Sequence, residues 1–151
     1  MKITEILKTP CVRAPLHASE KIAAITELVD LLSEQGLLTD RDDVLNAVLV
    51  REQTRSTGIG HGLAVPHGKS HGCESLALAV GKPAKPMGFE SIDGRPCDLI
   101  VLLASPADKT GPHIQALACI SRLWQTEGFR KSVIEATTAD ELYAAFLQHQ
   151  G

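Results

Sequence analysis

The segment STGIGHGLAVPHGKSHG, residues 56–72, carries five glycines, three histidines and one proline. Imidazole serves proton transfer, metal ligation or nucleophilic attack near neutral pH, and glycine lets a backbone turn sharply or be approached closely. Three chemistries can be tested against the spacing. Gly58, Gly60 and Gly62 invite a dinucleotide-binding turn, which requires a strand before the glycines and a helix after them. Here the charged helical stretch REQTRS precedes them, Val65-Pro66 blocks a following helix, and the chain has no G-x-x-x-x-G-K-[ST]. A metal site would draw on His61, His67 and His71. Their spacing is not that of H-E-x-x-H, no cysteine pair completes a tetrahedron, and Pro66 denies His67 a shared helical face. The third chemistry is nucleophilic. Pro66 constrains the backbone before His67, and Gly68 is expected to clear space behind it for an incoming group. A neutral imidazole nitrogen can take up a phosphoryl group as a phosphoramidate and pass it on, given positioning and electrostatic help.

Elements on both sides must hold that segment. Ser19 is placed to cap a helix whose apolar stripe is Ile22, Ile25, Leu28, Val29 and Leu32, with Gly36 as its stop. A second helix is predicted from Thr39 to about Gln53, with Asp40, Asp42 and Asp43 in its first turn and Val44, Leu45, Val48 and Leu49 buried. The glycine-rich segment follows as a loop. The runs SLALAV (75–80) and DLIVLLAS (98–105) read as strands, the second fully buried, joined by a proline-rich connection with a tight turn at 92–95. A third helix starts with Pro112 as its first residue, carries Ile114, Leu117, Ile120, Leu123 and Trp124, and stops at Gly128. A short helix is predicted at 129–135. Thr138 and Glu141 form a capping box for a last helix bearing Leu142, Phe146 and Leu147. The pattern is one α/β domain over 1–151, with helices toward both ends and strands in the middle.

Composition narrows the function classes. A net charge of −3, no Lys/Arg cluster and few aromatic side chains argue against nucleic acid as a partner. No apolar run is long enough to span a membrane, and the N-terminus MKITEILKTP lacks a secretory signal, so the expected compartment is the cytoplasm. Cys11, Cys73, Cys97 and Cys119 are widely spread and are expected to be reduced, buried thiols.

The A-V-P-H-G stretch ending at Gly68, Arg51-Glu52 before it and His113 after it resemble the EIIA domain of the fructose–mannitol class in the bacterial phosphoenolpyruvate:sugar phosphotransferase system. The loop 56–69 is most similar to the nitrogen-regulatory branch. The resemblance runs over nearly the whole chain, from the helix near Ser19 to the tail 137–146. It implies a three-layer α/β/α sandwich around a small mixed β-sheet. It implies that His67 accepts the phosphoryl group through Nε2, that His113 stabilises it and that Arg51 supplies charge. Thr57, Gly58 and Gly68 are read as supporting residues, and Glu52 as structural.

The resemblance also implies partners. The phosphoryl donor would be phosphorylated HPr or its nitrogen-branch counterpart, and the recipients an EIIB or regulatory target proteins. Neither a cofactor nor a metal is implied, because donor and acceptor are both phosphoramidates. His61 departs from the residues the family carries there and is read as rim. Between roles, regulation by phosphorylation state is preferred to sugar uptake, with a histidine-rich metal-binding protein as a remote alternative. Metal removal separates the chemistries: phosphoryl acceptance is expected to persist after exhaustive chelation, whereas loss with EDTA and recovery with Zn²⁺ would favour the metal reading.

Overall fold

The computed structural model describes residues 1–150. The elements run β1 (Leu7–Arg13), α1 (Lys21–Glu34), α2 (Arg41–Thr54), β2 (Gly58–Gly60), β3 (Leu63–Ala64), β4 (His67–Ser70), β5 (Ala77–Gly81), β6 (Leu99–Pro106), α3 (Thr110–Trp124), α4 (Glu127–Glu135) and α5 (Ala139–His149). All eight residues of β6 are buried, as a strand covered on both faces requires. β5 lies antiparallel to β6, and β1 lies parallel to β5 at the sheet edge. Along the other side of β6 run β3 and then β4, both parallel, with β2 antiparallel to β3. Helices α1 and α2 pack together, α1 on β5 and α2 on β4. The linked helices α3, α4 and α5 supply the other layer, with α3 on β6 and α5 on β1. The fold is the expected α/β arrangement around a mixed sheet.

The predicted layout changes in two respects. The glycine-rich segment is not a free loop: it forms β2, β3 and β4. Leu63 pairs with Leu99 and His67 with Leu103 at the same offset, so Val65-Pro66 interrupts the ladder without shifting it. Pro66 has no N–H to donate, yet its carbonyl accepts from Leu103 N at 3.0 Å. β1 was not predicted either, and Pro10 sits inside it. The strand tolerates that proline because it occupies the sheet edge. Strands therefore begin near the N-terminus and are not confined to the middle of the chain.

Helix boundaries move for identifiable reasons. Glu20 caps α1, not Ser19: its carboxylate accepts from Ala23 N at 2.7 Å and Ile22 N at 3.3 Å. Asp40 caps α2 by accepting from Asp43 N at 3.1 Å, so Thr39 and Asp40 lie outside the helix. Helix α3 begins at Thr110, making Pro112 its third residue, where a missing N–H still costs no helical bond. Gly128 falls inside α4 and ends nothing. Thr138 caps α5 as expected, accepting from Glu141 N at 3.2 Å. Ile22, Ile114 and Leu147 are exposed although they lie on apolar stripes, because the neighbouring layer covers only part of each stripe. The four cysteines are free and buried, as expected.

Strand alternation assigns the side chains of β4 to opposite layers. Ser70 Oγ donates to Asp43 of α2, while Lys69 Nζ donates to Thr110 of α3 at 3.3 Å. His67 shares the α3 side with Lys69. Gly68 faces α2, and a Cβ there would stand 2.9 Å from Val48 N and 3.0 Å from Ala47 C. Gly68 therefore lets a helix close on the strand and does not clear space for an incoming group, as the sequence reading had it. Gly68→Ala is expected to cost about 1–3 kcal/mol through overpacking. Gly88→Ala, with open space around the new methyl group, should stay close to the parent in the same chemical-denaturation measurement.

Candidate functional site

His67 opens β4, fixed by the ladder to β6, and its ring is half-buried. Its Nδ1 lies 2.8 Å from the Val65 carbonyl. A carbonyl only accepts, so Nδ1 carries the proton of the neutral ring and Nε2 keeps its lone pair. Burial lowers the His67 pKa from the ordinary imidazole value; the Val65 carbonyl opposes this, the Arg51 charge adds to it and Glu52 opposes it. With its proton on Nδ1, the neutral ring leaves the Nε2 lone pair free to act as a nucleophile.

His113 sits in the first turn of α3, buried, with its ring centroid 5.3 Å from that of His67 and the planes tilted by 57°. Its Nδ1 lies 2.7 Å from Ser105 Oγ. Burial, then the neighbouring His67 and Lys69, push its pKa down to about 4. Its own amide donates to Lys109 O at 3.0 Å, so the imidazole and not the amide is the group this residue offers to His67.

Arg51 occupies the last turn of α2 and lines the same depression of about 370 Å³ as His67, together with Thr57, Ile59, Val65 and Leu117. Its Nη1 donates to Arg55 O at 2.9 Å, and it makes no ion pair among the described residues. The guanidinium is therefore available to an anion. Glu52, the next residue, turns inward and is buried. It accepts from Thr57 N at 2.9 Å and from Thr57 Oγ1 at 2.5 Å, and pairs with Lys21 Nζ at 2.9 Å. Thr57 thus spends its hydroxyl on Glu52, tying the start of β2 back to α2. Gly58 is needed for contact: a Cβ would run into Ser91, whose neighbour Ile92 donates to the Gly58 carbonyl at 3.1 Å.

The structure brings His67, His113 and Arg51 together and leaves the other two loop histidines apart. His61 lies exposed at the β2–β3 turn with φ 56°, its N–H bonded to Asp93 and its carbonyl to Trp124 Nε1. His71 is exposed beyond β4 and lines a separate cavity with Cys73, Glu74 and Asp108. Among the described residues no group of three His, Cys, Asp or Glu side chains is placed to hold a metal ion. Sequence reasoning missed Ser105, Lys69 and Lys21. The first two lie in strands whose facing is set only by pairing, and Lys21 carries no local motif.

An unprotonated imidazole nitrogen beside a second neutral imidazole and an unpaired guanidinium is an arrangement for holding a phosphoryl group. Residues 5–149 match the family described as phosphoenolpyruvate-dependent sugar phosphotransferase system, EIIA 2. The chain belongs to that family. It is 36% identical over 149 residues to the fructose-specific EIIABC component of Bacillus subtilis, covering 99% of this chain but only 24% of that protein. It is 31% identical to the nitrogen regulatory protein of Escherichia coli, covering 100% of this chain and 93% of the relative. The nitrogen regulatory protein IIA-Ntr of Neisseria meningitidis has the same fold, with a TM-score of 0.86 at 30% identity, over 95% of this chain and 98% of that one. The EIIA chain is thus similar both to a nitrogen regulatory protein and to about a quarter of a fructose-specific EIIABC component. Among the described residues no helix is long and apolar enough to cross a membrane.

The buried, neutral His113 is expected to make this EIIA sensitive to acid. Above pH 6.5 the His113 ring is neutral in both the folded and unfolded chain. Below that, the unfolded ring binds a proton that the folded one takes up only near pH 4. Stability should therefore fall as pH drops through that window, with a His113 contribution of up to about 3 kcal/mol. His113→Gln should flatten the decline, as read from urea unfolding at successive pH values.

Proposed function

We propose that His67 is the phosphoryl acceptor of this EIIA. The observation that carries the reading is the 2.8 Å contact between His67 Nδ1 and the Val65 carbonyl, which reserves Nε2 as the nucleophile. The phosphoryl group moves from the imidazole nitrogen of a phosphohistidine donor, HPr or its nitrogen-branch counterpart, to Nε2. One P–N bond breaks as another forms, the donor ring leaves with the electron pair, and Nδ1 keeps its proton throughout. His113 donates to the transferred oxygens, and Arg51 neutralises charge on them, as a guanidinium can with two oxygens at once. The step is positioning and electrostatics, so the chain's own groups suffice.

Onward, the phosphorylated and free forms report the state of the phosphoryl chain to regulatory target proteins, the role that similarity to the nitrogen regulatory proteins supports. A second role, donation to an EIIB of a fructose- or mannitol-type system, is supported by similarity to the Bacillus subtilis fructose component. The two differ in the recipient, not in the chemistry at His67.

His67→Ala is expected to abolish acid-labile labelling from phosphoenolpyruvate in the presence of Enzyme I and HPr; labelling at the parent rate would move the acceptor elsewhere. His113→Ala should still accept phosphate but pass it on roughly ten- to a hundredfold more slowly, the loss of a charge-assisted hydrogen bond of about 1.5–3 kcal/mol. Rapid-quench timing of uptake and onward transfer, measured separately, distinguishes the two residues.

A further inference from the structure

Ser105 is the penultimate residue of β6, wholly buried, and pairs in register with Lys69 of β4. Paired residues of parallel strands face the same side, so Ser105 shares the α3 layer with His67 and Lys69. Its Oγ has one hydrogen-bond partner among the described residues, His113 Nδ1 at 2.7 Å. A hydroxyl can donate or accept, but a buried one without an acceptor for its proton is the kind of orphan that native interiors avoid. If Nδ1 carried the ring proton and donated to Oγ, the Ser105 O–H would have nowhere to go. The satisfied arrangement is the reverse: Oγ–H donates to an unprotonated Nδ1.

We infer that Ser105 is a positioning residue whose hydroxyl holds His113 in the tautomer that carries its proton on Nε2. The two imidazoles are then set in opposite tautomers by two different partners. The Val65 carbonyl can only accept, so it puts the His67 proton on Nδ1 and frees the Nε2 lone pair. The Ser105 hydroxyl has only Nδ1 to donate to, so it leaves His113 with Nε2–H as the donor beside His67. One ring presents a nucleophile and the other a hydrogen-bond donor, with no proton rearrangement needed when a phosphoryl group arrives. Burial of His113 keeps its ring neutral, so that a tautomer exists to be chosen.

This inference rests on His67 as the acceptor, but its first test does not. Long-range ¹H–¹⁵N correlation spectra of the unphosphorylated protein should show His113 protonated on Nε2 and His67 on Nδ1. His113 protonated on Nδ1 would overturn the inference while leaving the acceptor reading intact; failure of His67 to take phosphate would do the opposite. In Ser105→Ala the His113 Nδ1 resonance should move to that of a nitrogen without a hydrogen-bond donor. Onward transfer from phosphorylated His67 should slow by roughly two- to tenfold, the range of one neutral hydrogen bond. Ser105→Thr, which keeps the hydroxyl, should restore both. A Ser105→Ala protein whose Nδ1 resonance and transfer rate match the parent would assign Ser105 to packing alone.

Discussion

The ladder between β6 and the run from Leu63 to Ser70 is the constraint on which the site depends. His67 is placed because residue 67 pairs with Leu103, and Ser105 lies two residues further along the same strand. A slip of one residue would exchange the faces of β4 and point His67 at α2, where Gly68 leaves no room for a side chain. The register is protected by burial, since every residue of β6 is covered. It is protected as well by the offset held across Val65-Pro66, where the proline's missing donor is tolerated but its acceptor is used.

Around that ladder, polar groups are satisfied in a way that leaves specific ones free. Glu52 is consumed by Thr57 and Lys21, and Ser105 by His113. Arg51 is braced by a carbonyl and not by a carboxylate, so its charge is not cancelled. His67 spends Nδ1 on Val65 and keeps Nε2. Burial acts in the same direction on both rings, favouring the neutral form over the imidazolium. The electrostatics of the site follow from which hydrogen bonds the fold has already made.

Much of the site was legible in the chain itself. A-V-P-H-G is a local signal, and Pro66 depends on no distant residue to constrain the backbone before His67. The same holds for α5, whose capping threonine acts within one turn. Apolar density alone marked β6 as buried. His113 was placed beside His67 by resemblance and not by pattern, since nothing local to residues 110–114 points across the molecule.

What the tertiary structure decided are the properties that arise between distant segments. Short strands rich in glycine carry no alternation, so β3 and β4 exist only because β6 offers them a ladder, and β2 only because β3 does. The purpose of Gly68 reversed, from room for a ligand to room for α2, because the face of a β residue is set by its pairing. Ser105 has no motif at all; it matters because burial leaves its hydroxyl one acceptor. Residue type and spacing narrowed the chemistry open to the histidine nitrogens of this chain. Pairing and burial decided which proton sits on which nitrogen, since that choice belongs to partners folded in from elsewhere.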